Sequence, residues 1–114
     1  MEIKQATAAL AALGQSTRLS VFRCLVKAGP EGRMPGDIAE ALSLAGATLS
    51  FHLKELAVAG LVQAEPRGRF ICYRVDFEAM RALLGFLTEN CCGGDPNACA
   101  PIVRGPLEAT KGRL

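Results

Sequence analysis

The chain has 114 residues, of which 50% are hydrophobic, and a formal net charge of +2, which indicates one globular domain with a modest core. This charge is too small to indicate a nucleic-acid partner by itself, no apolar run approaches a membrane span, and the start MEIKQATAALAALGQ lacks the features of a signal peptide, so we expect a cytoplasmic protein. Five cysteines, an odd number, favour reduced thiols used for ligation or redox chemistry over a disulfide framework.

The first two predicted helices each carry an apolar side. Residues 3 to 13 are rich in alanine and end at Gly14. Along one side of this helix lie Ile3, Thr7, Leu10 and Leu13. A second helix opens at residues 17 to 19, with Ser16 as its N-cap, and stops at the loop 29 to 32. Its apolar stripe consists of Leu19, Phe22, Leu25 and Val26.

The segment from residue 37 to residue 62, DIAEALSLAGATLSFHLKELAVAGLV, predicts two short helices that meet at a tight turn. In the second of these helices Leu49, Leu53 and Leu56 recur at helical spacing, and we expect them to be buried. The residues expected on the other face are Ala47, Thr48, Ser50, Phe51 and Lys54. Small and hydrogen-bonding side chains near a helix N-terminus suit the DNA major groove. The two helices and the turn between them therefore favour a DNA-binding helix-turn-helix, and the alternative is a two-helix corner of another all-α domain.

The sequence after Gly60, LVQAEPRGRFICYRV, predicts a β-wing. Two β-rich segments flank a turn at residues 66 to 69, which contains a glycine and the cations Arg67 and Arg69. Together with Arg74, these cations concentrate positive charge on and beside the wing. The predicted fold is therefore a mainly α winged helix-turn-helix, with about five helices and a two-stranded β-wing.

The tight turn, the helix that follows it and the wing together resemble the winged-helix repressors of the ArsR/SmtB family. That family typically shows a leucine-serine turn, a Thr-x-Ser-x-His-Leu-Lys-x-Leu recognition helix and Ala-Gly-Leu-Val before the wing. This chain has TLSFHLKEL at residues 48 to 56 and AGLV at residues 59 to 62. The resemblance covers about residues 7 to 90 and implies a homodimer that binds an inverted repeat in double-stranded operator DNA.

The resemblance also implies which residues contact the operator. They are Arg18, Ala47, Thr48, Ser50, Phe51, His52, Lys54, Arg67 and Arg69. Arg18 opens the second helix, where the family commonly has an arginine that helps to hold the DNA backbone, and the alternative is a solvated surface charge. Phe51 stands where a polar or basic residue is usual, and its ring can contact a thymine methyl group.

The last predicted helix runs from Phe77 to Glu89, with Asp76 as its N-cap. Its broad apolar face consists of Phe77, Met80, Leu83, Leu84 and Leu87. In the family that the chain resembles, the first and last helices pair with those of a second subunit. We therefore interpret this face as the dimer interface, with burial inside one subunit as the alternative.

The residues after this helix contain the strongest chemical signal, NCCGGDPNAC, which includes Cys91, Cys92 and Cys99. Thiolates select soft thiophilic ions, and the glycines allow the backbone to fold back towards the third sulfur. Three sulfurs without a histidine suit arsenic(III) or antimony(III), whereas structural zinc usually takes four ligands. The alternatives are an oxidised vicinal pair, a disulfide between Cys92 and Cys99, and incidental tail residues. Cys24 and Cys72 are predicted to be inert buried residues.

Arsenic sensors of this family often carry Cys-Val-Cys on the helix before the recognition helix, where this chain has RMPGD at residues 33 to 37. A subset resembles this chain in placing a Cys-Cys pair and a later Cys just after the last helix. The chain is therefore predicted to combine a winged helix-turn-helix DNA-binding and dimerisation domain, residues 1 to 90, with a cysteine-containing C-terminal tail, residues 91 to 114.

The predicted function is a repressor of a metalloid-resistance operon that leaves its operator when arsenic(III) or antimony(III) binds the three cysteines. We expect neither enzymatic activity nor an organic cofactor. One alternative is a sensor of methylarsenite or of a soft divalent metal. Another is a thiol-redox module that uses the vicinal cysteines, although adjacent cysteines match the usual Cys-x-x-Cys spacing poorly. A third is a DNA-binding protein whose tail recruits another protein.

Overall fold

The structure is a computed structural model that describes residues 1 to 94. The helices are α1 (Ile3–Leu13), α2 (Ser16–Ala28), α3 (Pro35–Leu42), α4 (Gly46–Val58) and α5 (Phe77–Leu87), and the strands are β1 (Val62–Arg67) and β2 (Phe70–Val75). Short 3₁₀ turns cover Gly29–Glu31 and Cys91–Gly94. The predicted mainly helical winged helix-turn-helix fold is confirmed. No helix among residues 1 to 94 is long and apolar enough to cross a membrane.

The chain divides into two compact units, Met1–Leu83 and Leu84–Leu114. The core of the first unit lies among α2, α3, α4 and the base of the wing. Its fully buried aliphatic side chains are Val21, Leu25, Ile38, Leu49, Leu53, Leu56 and Leu61. The three leucines of α4 are thus buried as their spacing predicted, and burying each of them contributes about 1.5–3 kcal/mol to stability.

Helix α1 packs through its alanines and not through its larger apolar residues. Ala6, Ala9 and Ala12 are buried, while Ile3 is 70% exposed and Leu10 is 44% exposed. The side that the sequence indicated as apolar therefore faces outwards in a single chain. An alanine row has no bulk to hold neighbouring helices apart, so α1 can approach α2 and α4 closely, and its larger apolar residues remain uncovered.

Two helix caps were predicted, and one of the predictions is wrong. Ser16 is the first residue of α2 and not its N-cap; the cap is Gln15, whose Oε1 accepts a hydrogen bond from the Arg18 N–H at 2.7 Å. Asp76 does cap α5, because its Oδ1 accepts from the Ala79 N–H at 3.0 Å. Helix α5 ends at Leu87, before the predicted end at residue 89.

The wing is an antiparallel hairpin whose register pairs Val62 with Val75 and Arg67 with Phe70. Pro66 and Arg67 belong to β1, so the turn is shorter than predicted. A proline is acceptable there because a two-stranded sheet consists of edge strands. Gly68 has a φ of 63°, and glycine at the first position of a two-residue turn is typical of type II′ hairpins.

A single β-bridge that the sequence did not predict holds the base of the wing. The Arg33 N–H donates to the Tyr73 carbonyl oxygen at 2.8 Å, and the Tyr73 N–H donates to the Arg33 carbonyl oxygen at 2.9 Å. Gly32 precedes the bridge with a φ of 73°, and a Cβ atom there would lie 2.4 Å from the Tyr73 oxygen. Glycine is thus required both by its φ angle and by this close approach.

Candidate nucleic-acid interface

Helix α4 presents a polar face at its N-terminal end. Ala47, Thr48, Ser50, Phe51 and Lys54 are exposed, as their positions relative to the buried leucines predicted. The turn before the helix is tight because Ser43, at the C-terminus of α3, adopts a left-handed conformation with a φ of 54°. The exposed side chains offer two hydroxyls, one ammonium group and one aromatic ring, which are groups that read base edges and phosphates.

Two residues predicted to contact DNA, Arg18 and His52, take part in an internal network. His52 is only 7% exposed, and its Nδ1 lies 3.2 Å from Nη1 of the half-buried Arg18. The Arg18 Nε–H donates to the Ala12 carbonyl oxygen at 2.6 Å. The inward position of His52 was detectable in the sequence, because it lies three residues after Leu49 and four before Leu56 and therefore shares their side of the helix.

The positive charge predicted for the wing is partly neutralised. Arg74 forms an ion pair with Oε1 of the Glu65 carboxylate, and Arg67 Nη2 lies 3.4 Å from the same Oε1 atom. The hydrogen bond and charge of Arg74, together with the charge of Arg67, hold the pKa of Glu65 below its ordinary value. Among residues 1 to 94, Arg69 at the wing tip forms no ion pair. The sequence alone did not indicate this role of Glu65, because it depends on the strand register.

The wing and α4 share one cleft with the start of α3. This cleft has a volume of about 650 Å³, and its lining includes Ser50 from α4 and Arg69 from the wing. Phe70 and Ile71, which also line it, are 62% and 42% exposed. A predicted base-reading residue and a predicted phosphate-binding residue are thus brought to the same concave surface, beside apolar side chains that sequence analysis did not select.

The second unit contains the vicinal cysteines. Their Sγ atoms lie 3.7 Å apart, at the 3₁₀ turn after α5, and Cys92 has a φ of 56°. The third predicted ligand, Cys99, lies outside the described residues. In the part of the chain that the structure describes, no three His, Cys, Asp or Glu side chains are grouped around one metal position.

The remaining two cysteines lie in the first unit. Cys72 is buried as predicted, and its Sγ donates to the Glu31 carbonyl oxygen at 3.3 Å. Cys24 is only half-buried, so the predicted full burial is wrong for this residue.

Comparison with known proteins agrees with this architecture. A helix-turn-helix domain model matches residues 13–63, and no curated protein sequence shows significant similarity to the chain. An ArsR-like transcriptional regulator from Rhodococcus sp. RHA1 has a TM-score of 0.69 at 24% identity, covering 85% of this chain and 89% of that protein.

Two further solved structures have higher sequence identity. The homodimeric winged helix-turn-helix DNA-binding domain of Mb0332 from Mycobacterium bovis, a possible ArsR-family regulator, has a TM-score of 0.62 at 26% identity over 79% of this chain and 83% of that one. NolR from Sinorhizobium fredii has a TM-score of 0.60 at 29% identity over 75% and 83%. The chain therefore carries a helix-turn-helix domain in a winged-helix fold.

Proposed function

We propose that the protein is a homodimeric transcriptional repressor that binds operator DNA through α4 and the wing. The observation that carries this proposal is the shared cleft, which combines Ser50 of α4 with Arg69 of the wing tip. Base contacts supply sequence specificity, whereas phosphate contacts fix the register of the protein on the duplex. A surface that offers both can read an operator.

The uncovered apolar residues support dimerisation. On α1, Ile3 and Leu10 are 70% and 44% exposed, and on α5, Leu84 and Leu87 are 54% and 53% exposed. Large apolar side chains exposed in a row on a helix mark a contact surface more often than a solvated one. The similar Mycobacterium bovis domain is a homodimer. A two-fold dimer would place its two α4 helices on an inverted repeat with half-sites about 34–36 Å apart.

The proposed inducer is arsenic(III) or antimony(III), bound by Cys91, Cys92 and Cys99. The separation of 3.7 Å between the first two sulfur atoms supports this proposal. Two thiolates this close together can bind one thiophilic ion without a large rearrangement. Thiolates also discriminate strongly against hard cations.

Ligand binding would act on the end of α5, because Cys91 and Cys92 lie only four and five residues after its last residue, Leu87. A bond network that includes Cys99 would reshape the helix end and, through the dimer, the spacing of the two α4 helices. A ligand shifts such an equilibrium only through its different affinity for the two arrangements. Conversion from mostly bound to mostly free operator needs a preference of about 10⁴, or about 5.5 kcal/mol.

The test is fluorescence anisotropy of a labelled operator duplex during arsenite titration under reducing conditions, after footprinting has located the inverted repeat. Cys92→Ser and Cys99→Ser should bind the operator normally without arsenite and should fail to release it, because each removes one sulfur ligand. Cys24→Ser is the matched control and should respond like the unaltered protein, since this residue lies on α2.

Each alternative predicts a different result in the same titration. Full release from a protein that lacks all three tail cysteines would exclude the proposed ligand site. Release by a mild oxidant, with no response to arsenite, would favour a thiol-redox sensor. Protection of one asymmetric half-site in the footprint would contradict the dimer.

A further inference from the structure

Arg18 connects three helices of the first unit. It belongs to the first turn of α2, its Nε–H donates to the carbonyl oxygen of Ala12 near the end of α1 at 2.6 Å, and its Nη1 lies 3.2 Å from Nδ1 of His52 on α4. The Gln15 side chain in turn caps the backbone N–H of Arg18. The guanidinium therefore occupies a fixed position between the end of α1 and the middle of the recognition helix.

The chemistry of the two groups fixes the direction of this contact. A guanidinium group only donates hydrogen bonds, so in this contact His52 Nδ1 is the acceptor. The planar guanidinium holds its donors in a rigid fork, which allows one side chain to bind the Ala12 carbonyl oxygen and the imidazole at the same time. A lysine at this position would keep the charge but would lose this geometry.

His52 also contacts the exposed face of α4. Its ring and that of Phe51 form an edge contact, with centroids 5.4 Å apart and an interplanar angle of 63°. Phe51 is 56% exposed, while His52 is 7% exposed. The buried imidazole thus links the Arg18 guanidinium to an aromatic ring on the surface that is proposed to meet the bases.

We propose that Arg18 and His52 are positioning residues that fix the orientation of the recognition helix and of Phe51, and that Arg18 does not act as a phosphate contact. This inference rests on the proposed function, since it concerns how α4 meets the operator. A fixed helix orientation matters more for base readout than for general attraction to phosphates, because base contacts depend on the angle and depth at which side chains enter the groove.

The experiment measures binding to a duplex carrying the footprinted inverted repeat and to a scrambled duplex of equal length, over a range of salt concentrations. Arg18→Ala should lower the preference for the operator about tenfold, equivalent to about 1.4 kcal/mol, and should leave binding to the scrambled duplex and its salt slope unchanged. Arg18→Lys should behave like Arg18→Ala despite its charge. Arg23→Ala, at an exposed position of α2, is the matched control and should keep the full preference.

A second pair of variants tests the acceptor. His52→Leu should lose the preference for the operator to the same extent as Arg18→Ala, and the double variant should lose no more than either single one, because both act through one contact. His52→Asn can place an amide oxygen near the position of Nδ1 and should recover part of the preference. Thermal melting of each variant shows whether the domain is still folded.

Three results would overturn the inference. The first is a fall of about 0.9 in the salt slope on both duplexes for Arg18→Ala, with recovery in Arg18→Lys, which would identify a phosphate contact. The second is additivity of the two single variants. The third is an unchanged operator preference in folded His52→Leu. If the unaltered protein itself showed no preference for the footprinted duplex, the proposed function would fail first, and this inference with it.

Discussion

Arg69 at the wing tip should account for one full phosphate contact. The logarithm of DNA affinity falls with the logarithm of salt concentration by about 0.9 for each neutralised phosphate. Arg69→Ala should therefore make the slope shallower by about 0.9. Between 50 and 200 mM salt, one such contact corresponds to a loss of affinity of about 3.5-fold. The reduction should be similar on operator and random DNA, because phosphates carry no direct sequence information.

Arg67 should contribute less than Arg69 to the salt dependence of DNA affinity, because the Glu65 carboxylate lies 3.4 Å from the Arg67 guanidinium and competes with phosphate. Arg67→Ala should change the slope by less than 0.9. Glu65→Gln keeps the shape of the side chain and removes its charge, so the slope should become steeper as Arg67 and Arg74 are released. Because its neighbours hold the pKa of Glu65 below the ordinary value, the carboxylate stays ionised in mildly acidic buffer. The difference in salt slope between the unaltered protein and Glu65→Gln should therefore persist there.

The assay is anisotropy of labelled duplexes at five or more salt concentrations. Ser50→Ala serves as the control, because a side chain that reads base edges should change operator preference without changing the slope. An unchanged slope in Arg69→Ala would refute the wing-tip phosphate contact. Equal changes for Arg67→Ala and Arg69→Ala, with no effect of Glu65→Gln, would refute the competition by Glu65.

Two further predictions concern stability and assembly. Gly32→Ala should destabilise the protein by about 2–5 kcal/mol in urea unfolding, because the left-handed φ costs about 1–2 kcal/mol and the contact with the Tyr73 oxygen adds about 1–3 kcal/mol. Gly68 has a similar φ but open surroundings, so Gly68→Ala should show only the cost of the φ angle. Equal losses of stability in the two variants would contradict the steric argument. Leu10→Glu should shift the protein towards monomer in sedimentation velocity. Ile71→Glu, at a similarly exposed position of the wing, should leave the dimer intact. A dimer that survives Leu10→Glu would exclude this part of α1 from the interface.

The sequence by itself determined the elements that depend on local spacing. Leucines at helical intervals identified the buried side of α4, and Ser50, Phe51 and Lys54 between them were exposed as predicted. The glycine-containing turn between two β-rich segments identified the wing, although its exact limits depended on the register between Arg67 and Phe70. Asp76 was recognisable as a cap because its hydrogen bond reaches only three residues along the chain.

Only the tertiary structure decided features whose partners are distant in sequence. Arg18 and His52 are separated by 34 positions, and no local pattern distinguishes an arginine that contacts a buried imidazole from one that faces DNA. The segment around Arg33 likewise lacks a strand signal, although Arg33 forms a β-bridge with Tyr73. Helix α1 buries alanines because small side chains permit close helix packing, so its larger residues remain outside. Periodicity shows which residues share a face, but the shape and polarity of the neighbouring element determine whether that face is buried.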